Sequence, residues 1–156
     1  MAKAEIQIKG IEALKKRLME KKQAVENVLD QLLAQLGEEA VTFSKDNKGY
    51  QDQTANLKNS ISFAVFKDGK LLNSFIGNIP EPDKVKGGQA QVQKALEEYA
   101  SNPGVVAPQG YTVIVVAGMV YGKYVEDKGY NVLYLTKHFL HNGIKDALKE
   151  ALEALE

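Results

Sequence analysis

From Ile11 onward, the apolar residues Leu14, Leu18, Val25, Leu29, Leu32, Leu36, Ala40 and Phe43 recur three, four or seven positions apart. This is the spacing of one stripe along an α-helix, and it predicts a helix from Ile11 to about residue 44. At about 1.5 Å per residue such a helix is as long as a domain of this size is wide, so part of it can overhang. Lys21 and Lys22 interrupt the stripe. The plainer reading is a long core helix; the sharper one is an overhanging end that packs on a neighbouring subunit.

The rest of the chain has to supply what that helix packs against. With 156 residues, 44% of them hydrophobic, a single domain over residues 1–156 can bury roughly two-thirds of the surface its unfolded chain exposes. There is no cysteine, so neither disulfides nor thiolate zinc ligands contribute and packing alone carries the fold. Twenty basic residues balance twenty acidic ones. No net field is left to hold a polyanion, which argues against a sequence-specific nucleic-acid binder or a membrane-surface binder. The basic cluster Lys15, Lys16, Arg17, Lys21 and Lys22 lies beside Glu12, Glu20 and Glu26 and reads as a solvated helix face. No apolar run approaches about 18 residues and the start MAKAEIQIKG lacks a hydrophobic signal segment, so a soluble, unprocessed protein is expected.

Residues 112–117 are dense in Val and Ile between Gly110 and Gly118, which predicts a strand in the middle of a covered sheet. The period then changes: Tyr121 and Val125 lie four apart, predicting a short helix over 120–128 with Gly129 as its left-handed stop and Tyr130 folded back onto Val125. Earlier, Ile61, Phe63 and Val65 alternate with smaller residues. A two-residue turn at Asp68-Gly69 then makes a hairpin over 60–76, with Val65 opposite Leu72 and Ile61 opposite Ile76. Residues 5–9 and 131–135 read as further short strands. Residues 78–110 form a loop-helix-loop insertion, with its helix at about 89–100, and Phe139, Leu140, Ile144, Leu148, Ala151, Leu152 and Leu155 trace a C-terminal helix with Gly143 as a candidate kink.

Two stretches carry a further signal. TANLKNSI, residues 54–61, is similar to the T-G-N-L-R-x-S-I signature of the phage minor tail and head-tail joining (tail-completion) proteins of the HK97 gp10-like group. YGKYVEDKGYNVL, residues 121–133, resembles that group's Y-A-x-Y-V-E-x-G segment, in the same order and ahead of a C-terminal helix. The chain departs from the pattern with Ala55 where glycine is usual, Lys58 for arginine, Gly122 for alanine and extra residues before Gly129.

The resemblance implies a small α+β domain: a mainly antiparallel sheet of about four strands flanked by the long N-terminal, short and C-terminal helices. It also implies a structural virion protein of the tail or neck, made in the cytoplasm of a bacterial host from a phage or prophage gene. Its subunits form a homo-oligomeric ring, a hexamer being one size open to it, alone or only on assembly, between phage connector and tail-tube proteins. Thr54, Asn56, Leu57, Lys58, Ser60, Ile61, Tyr121, Tyr124, Val125, Glu126 and Gly129 are the motif and interface candidates.

Read physically, Thr54 caps the turn over residues 55–59 and Leu57 and Ile61 anchor it to the sheet; Glu126 can accept a hydrogen bond or pair with a cation across an interface, while the plainer reading has the tyrosines packed in core or rim and Glu126 solvated. Catalytic constellations are scarce. His138 and His141 have a metal-compatible spacing but no third ligand, and read as surface histidines. The pairs Glu38-Glu39 and Glu126-Asp127 point about 100° apart on a helix. No nucleophile elbow or phosphate loop is present, so neither enzymatic activity nor a cofactor is expected. The competing function is a soluble small-ligand or peptide-binding α+β domain, with an unrecognised hydrolase site in the loops around 78–110 as an option within it.

Overall fold

Residues 11–46 contain no proline and one glycine, Gly37, and nothing in them stops a helix. α1 (Ile11–Asp46) accordingly runs unbroken for 36 residues. The computed structural model describes residue 4 and residues 10–51, 55–79 and 87–155. After α1 come α2 (Asn56–Asn59), β1 (Ile61–Lys67), β2 (Lys70–Phe75), α3 (Gly88–Ser101), β3 (Tyr111–Ala117), α4 (Gly122–Asp127) and α5 (Tyr134–Glu153). Among the described residues no helix is long and apolar enough to cross a membrane.

The described sheet has three antiparallel strands in the order β2-β1-β3, not about four. The strand expected over 5–9 lies outside the described residues. Residues 131–135 are not a strand but the entry to α5. Asn131 explains the difference: its side-chain oxygen accepts the N–H of Leu135 at 3.0 Å, and its amide donates to the carbonyl of Asn47 at 2.7 Å. A short polar side chain that takes up a helix-entry N–H starts a helix where the apolar pattern suggests a strand.

Among the described residues β3 is an edge strand of the sheet, although its Val- and Ile-rich run predicts a central one. Both of its faces are covered. Val113, Val115 and Ala117 look towards α1 and α5, while Ile114 and Val116 pack with Leu96 of α3 and Ala64. Coverage of both faces, and not a central place, accounts for the branched run. The middle belongs to β1, where Ile61, Ser62, Phe63, Ala64 and Val65 are all buried.

The hairpin turn is as expected, with Asp68 at φ 52° and Gly69 at φ 79°. Its register is not. Phe63 faces Phe75 and Val65 faces Asn73, with an irregularity between Val65 and Phe66, so neither expected pair forms. β2 is exposed along most of its length, and without a buried face an alternating apolar pattern has nothing to lock it.

α1 sits close to its neighbours because glycine lets it. A Cβ on Gly37 would lie 2.3 Å from the Phe63 ring, and one on Gly143 of α5 would lie 2.3 Å from Leu36. Phe43 stacks on Phe139 with centroids 4.5 Å apart, and the buried Ser44 and Thr136 hydroxyls share a 2.6 Å hydrogen bond. Gly143 therefore serves a close approach of two helices. Replacing Gly37 with alanine gains about 1 kcal/mol of helix propensity, but it pushes against a ring that cannot retreat. We expect Gly37→Ala to lose about 1–3 kcal/mol in urea unfolding; unchanged or higher stability would contradict this packing.

Where α1 leaves the body, a polar bracket holds it. The Tyr111 hydroxyl donates to Asp30 and lies 3.1 Å from the carbonyl of Glu26, and Lys67 pairs with Asp30 at 3.3 Å and Glu26 at 3.4 Å. Burial first, and then the Asp30 hydrogen bond and charge, push the Tyr111 hydroxyl from 10.0 up to about 12, with Lys67 opposing. Lys67 is raised as well: burial works to lower it but is outweighed by its bond to Asp30 and by the charges of Tyr111 and Asp30. Both groups hold their protons more tightly in the folded chain, so the stability they lend is complete below about pH 10 and drains as pH rises towards about 12. Urea midpoints should therefore fall over that window. Tyr111→Phe should cost about 1 kcal/mol at neutral pH and flatten the alkaline fall; an unaltered alkaline slope would count against the bracket.

Candidate interaction surface

The two motif stretches meet in space. Leu57, on the four-residue α2, is buried in a cluster with Ile79, Val92, Met119 and Val132, against which Tyr121 and Val125 of the second stretch pack. A Cβ on Gly122 would sit 3.1 Å from Leu57. Glycine here leaves Leu57 its room.

Around this contact the backbone is tied by small hydroxyls. Ser60 donates to the Leu57 carbonyl at 2.7 Å, and its own carbonyl accepts the N–H of Gly118 at 3.1 Å. The Ser62 hydroxyl accepts the N–H of Gly77 at 2.8 Å. Asn56, Leu57, Ser60 and Ile61 are all buried, so they support the sheet from within. Lys58 is half-buried. The cap expected at Thr54 lies outside the described residues.

The second stretch closes as its sequence predicts. Gly129 takes φ 87°. Its N–H donates to the Glu126 carbonyl at 3.0 Å and that of Tyr130 to the Val125 carbonyl at 3.3 Å, the bond pair of a glycine-terminated helix. Tyr130 folds back through its backbone, while its side chain is half exposed. Glu126 departs from the solvated reading. It is half-buried, and its carboxylate accepts the N–H groups of Val132 and Leu133, so it fastens the entry of α5 to the end of α4. A glutamate six residues before a helix entry was the sequence signal for this, and it was masked by the neighbouring charges of Lys123, Asp127 and Lys128.

What reaches solvent lies elsewhere. Residues 11–24 are all exposed, including Leu14 at 56% and Leu18 at 58%. Burial begins with Val25, so the apolar stripe of α1 continues past the body uncovered. Val120, Tyr124, Tyr130 and Tyr134 form a second exposed group around α4 and the start of α5, with Lys128 over the Tyr124 ring at 5.2 Å. A groove of about 1050 Å3 runs between the outer edge of β3 and α5, floored by Val113, Val115, Leu140 and Ile144. His138 and His141 are exposed on its rim. Among the described residues no group of three or more His, Asp or Glu side chains is placed to hold a metal ion.

No protein-family model matches the chain, and no curated protein or solved structure matches it at a significant level.

One position in the first stretch carries strain. Ala55 takes φ 61°, a left-handed conformation that costs a residue with a Cβ about 1–2 kcal/mol, whereas glycine's extra freedom in the unfolded chain offsets about half of that. Ala55→Gly should raise stability by about 0.5–1 kcal/mol, read from thermal or urea unfolding. A variant no more stable than the parent would mean that the turn is not held in this conformation.

Proposed function

We propose that this protein is a structural subunit of the phage head-tail junction, a tail-completion or connector component that assembles into a ring between the head connector and the tail tube. The observation that carries the reading is Ala55. The position at which the signature has glycine adopts φ 61°, a conformation that suits glycine, and this supports the reading of TANLKNSI as a form of that signature. The packing of Leu57 against Gly122 supports it further, because it joins the two motif stretches into one structural unit.

The exposed surfaces are of the kind such a role needs. A ring subunit presents two different faces to its two neighbours, and α1 and the α4–α5 end offer apolar side chains at separate places. The balance of 20 basic and 20 acidic residues suits a wall past which DNA slides without adhering. No reactive centre enters this reading.

The competing reading, a soluble peptide- or small-ligand-binding domain, is favoured by the groove beside β3, where an open strand edge faces an apolar floor. An extended peptide could add to such an edge. Mass measurement over a concentration series, with and without a tail-tube protein and a head connector, separates the two. A ring or a stable complex with either partner is the expected result. A chain that binds neither partner and is stabilised by a peptide or metabolite would overturn the assignment.

A further inference from the structure

The overhanging end of α1 is both apolar and basic, and the pattern is directional. At about 100° per residue, Ile11, Leu14 and Leu18 form the stripe. Lys15 and Lys22 fall on one side of it and Arg17 and Lys21 on the other, while Glu12, Lys16 and Glu20 fall on the back. Among the described residues Lys15 and Lys22 meet only intrahelical carboxylates, Glu12 at 3.7 Å and Glu26 at 3.8 Å, and Arg17 and Lys21 meet none. The cations thus straddle an apolar ridge whose residues are all exposed.

The complementary shape lies on the same chain. Between the C-terminal half of α1 and α5, on the side away from the sheet, two adjoining hollows of about 400 and 590 Å3 share Gln35, Glu39 and Phe139. Their floor is apolar, with Leu32, Leu36, Phe43 and Ala147. Their walls carry Glu38, Glu39, Asp46, Asp146 and Glu150, and no lysine or arginine lines either hollow. None of these five carboxylates has a cation partner among the described residues. From Leu32 to Asp46 the trough is about 21 Å long, and the ridge from Ile11 to Lys22 is about 17 Å.

We infer that the basic overhang of one copy lies in the acidic α1–α5 trough of the next. The partner is a second copy because ridge and trough match in length, in apolar content and in opposite charge. They cannot meet within one chain, since Leu18 and Glu39 lie about 32 Å apart on one continuous helix. Pairing of two overhangs with each other is disfavoured, because it would set both cation rows together. The contact is head-to-tail, so it propagates and closes a ring when its rotation allows. This inference rests on the ring reading and names the surfaces that make it.

The test uses the full-length chain and two variants whose changed residues are all exposed. The ridge variant carries Lys15→Glu, Arg17→Glu, Lys21→Glu and Lys22→Glu; the trough variant carries Glu39→Lys, Asp146→Lys and Glu150→Lys. Sedimentation of the parent should show self-association that weakens about ten-fold or more as salt rises from low to high. Each variant alone, with parental helix content, should be monomeric, and mixing the two should restore association because each then offers what the other lacks. A parent that stays monomeric at about millimolar concentration and low salt overturns the inference, as does a variant that associates like the parent. So does a mixture of the two folded variants that stays apart. Loss of association in the ridge variant alone would assign the overhang another occupant and also overturn it. Binding of the parent to a tail-tube protein or head connector, measured separately, judges the ring reading: if it persists while these arms fail, only the docking is lost.

Discussion

The approach of α1 to β1 and α5 governs the rest of the structure. Gly37 lets the helix settle onto the Phe63 ring, and Gly143 lets α5 close on Leu36. Either contact with a Cβ in the way would push the helices outward and open the layer that buries Ile61, Phe63 and Val65. Phe63 and its neighbours supply about 2–3 kcal/mol each when buried, so the spacing set by two hydrogen atoms in place of methyl groups controls a large part of the stability. The second layer, α3 over Ala64 and Ile114, buries fewer residues.

The helical half of this architecture is readable in the chain because it is periodic. The stripe from Ile11 to Phe43 gives α1 to within two residues of its end, and Gly129 gives the terminus of α4 with its bond pattern. The strands are less legible, for physical reasons that differ case by case. β3 reads as central because sequence reports how many faces are covered, not how many edges are paired. The β2 register is misread because burial does not discipline an exposed strand. Residues 131–135 read as a strand because their apolar letters outweigh Asn131, whose side chain decides the outcome.

The candidate site divides in the same way. Leu57 and Ile61 anchor the first motif as their letters suggest. Glu126, however, is bonded to backbone groups six and seven residues on, a relation no periodicity displays. The Asp30–Lys67–Tyr111 bracket joins three elements distant in sequence, and nothing in any one of them announces it. The acidic trough is also invisible to composition, because balanced totals conceal that five of the six lysines and arginines of α1 lie between residues 15 and 22.

That bracket has a mechanical consequence. It ties α1 to the sheet at Glu26 and Asp30, next to Val25 where burial begins, and from Val25 to Ile11 the exposed arm measures about 21 Å. A tilt of only about 5° at the fulcrum swings the tip by about 2 Å. Small rearrangements among a tyrosine, a lysine and an aspartate are thereby magnified at a distance, and whatever the tip grips inherits its position from three polar groups at the base of the lever.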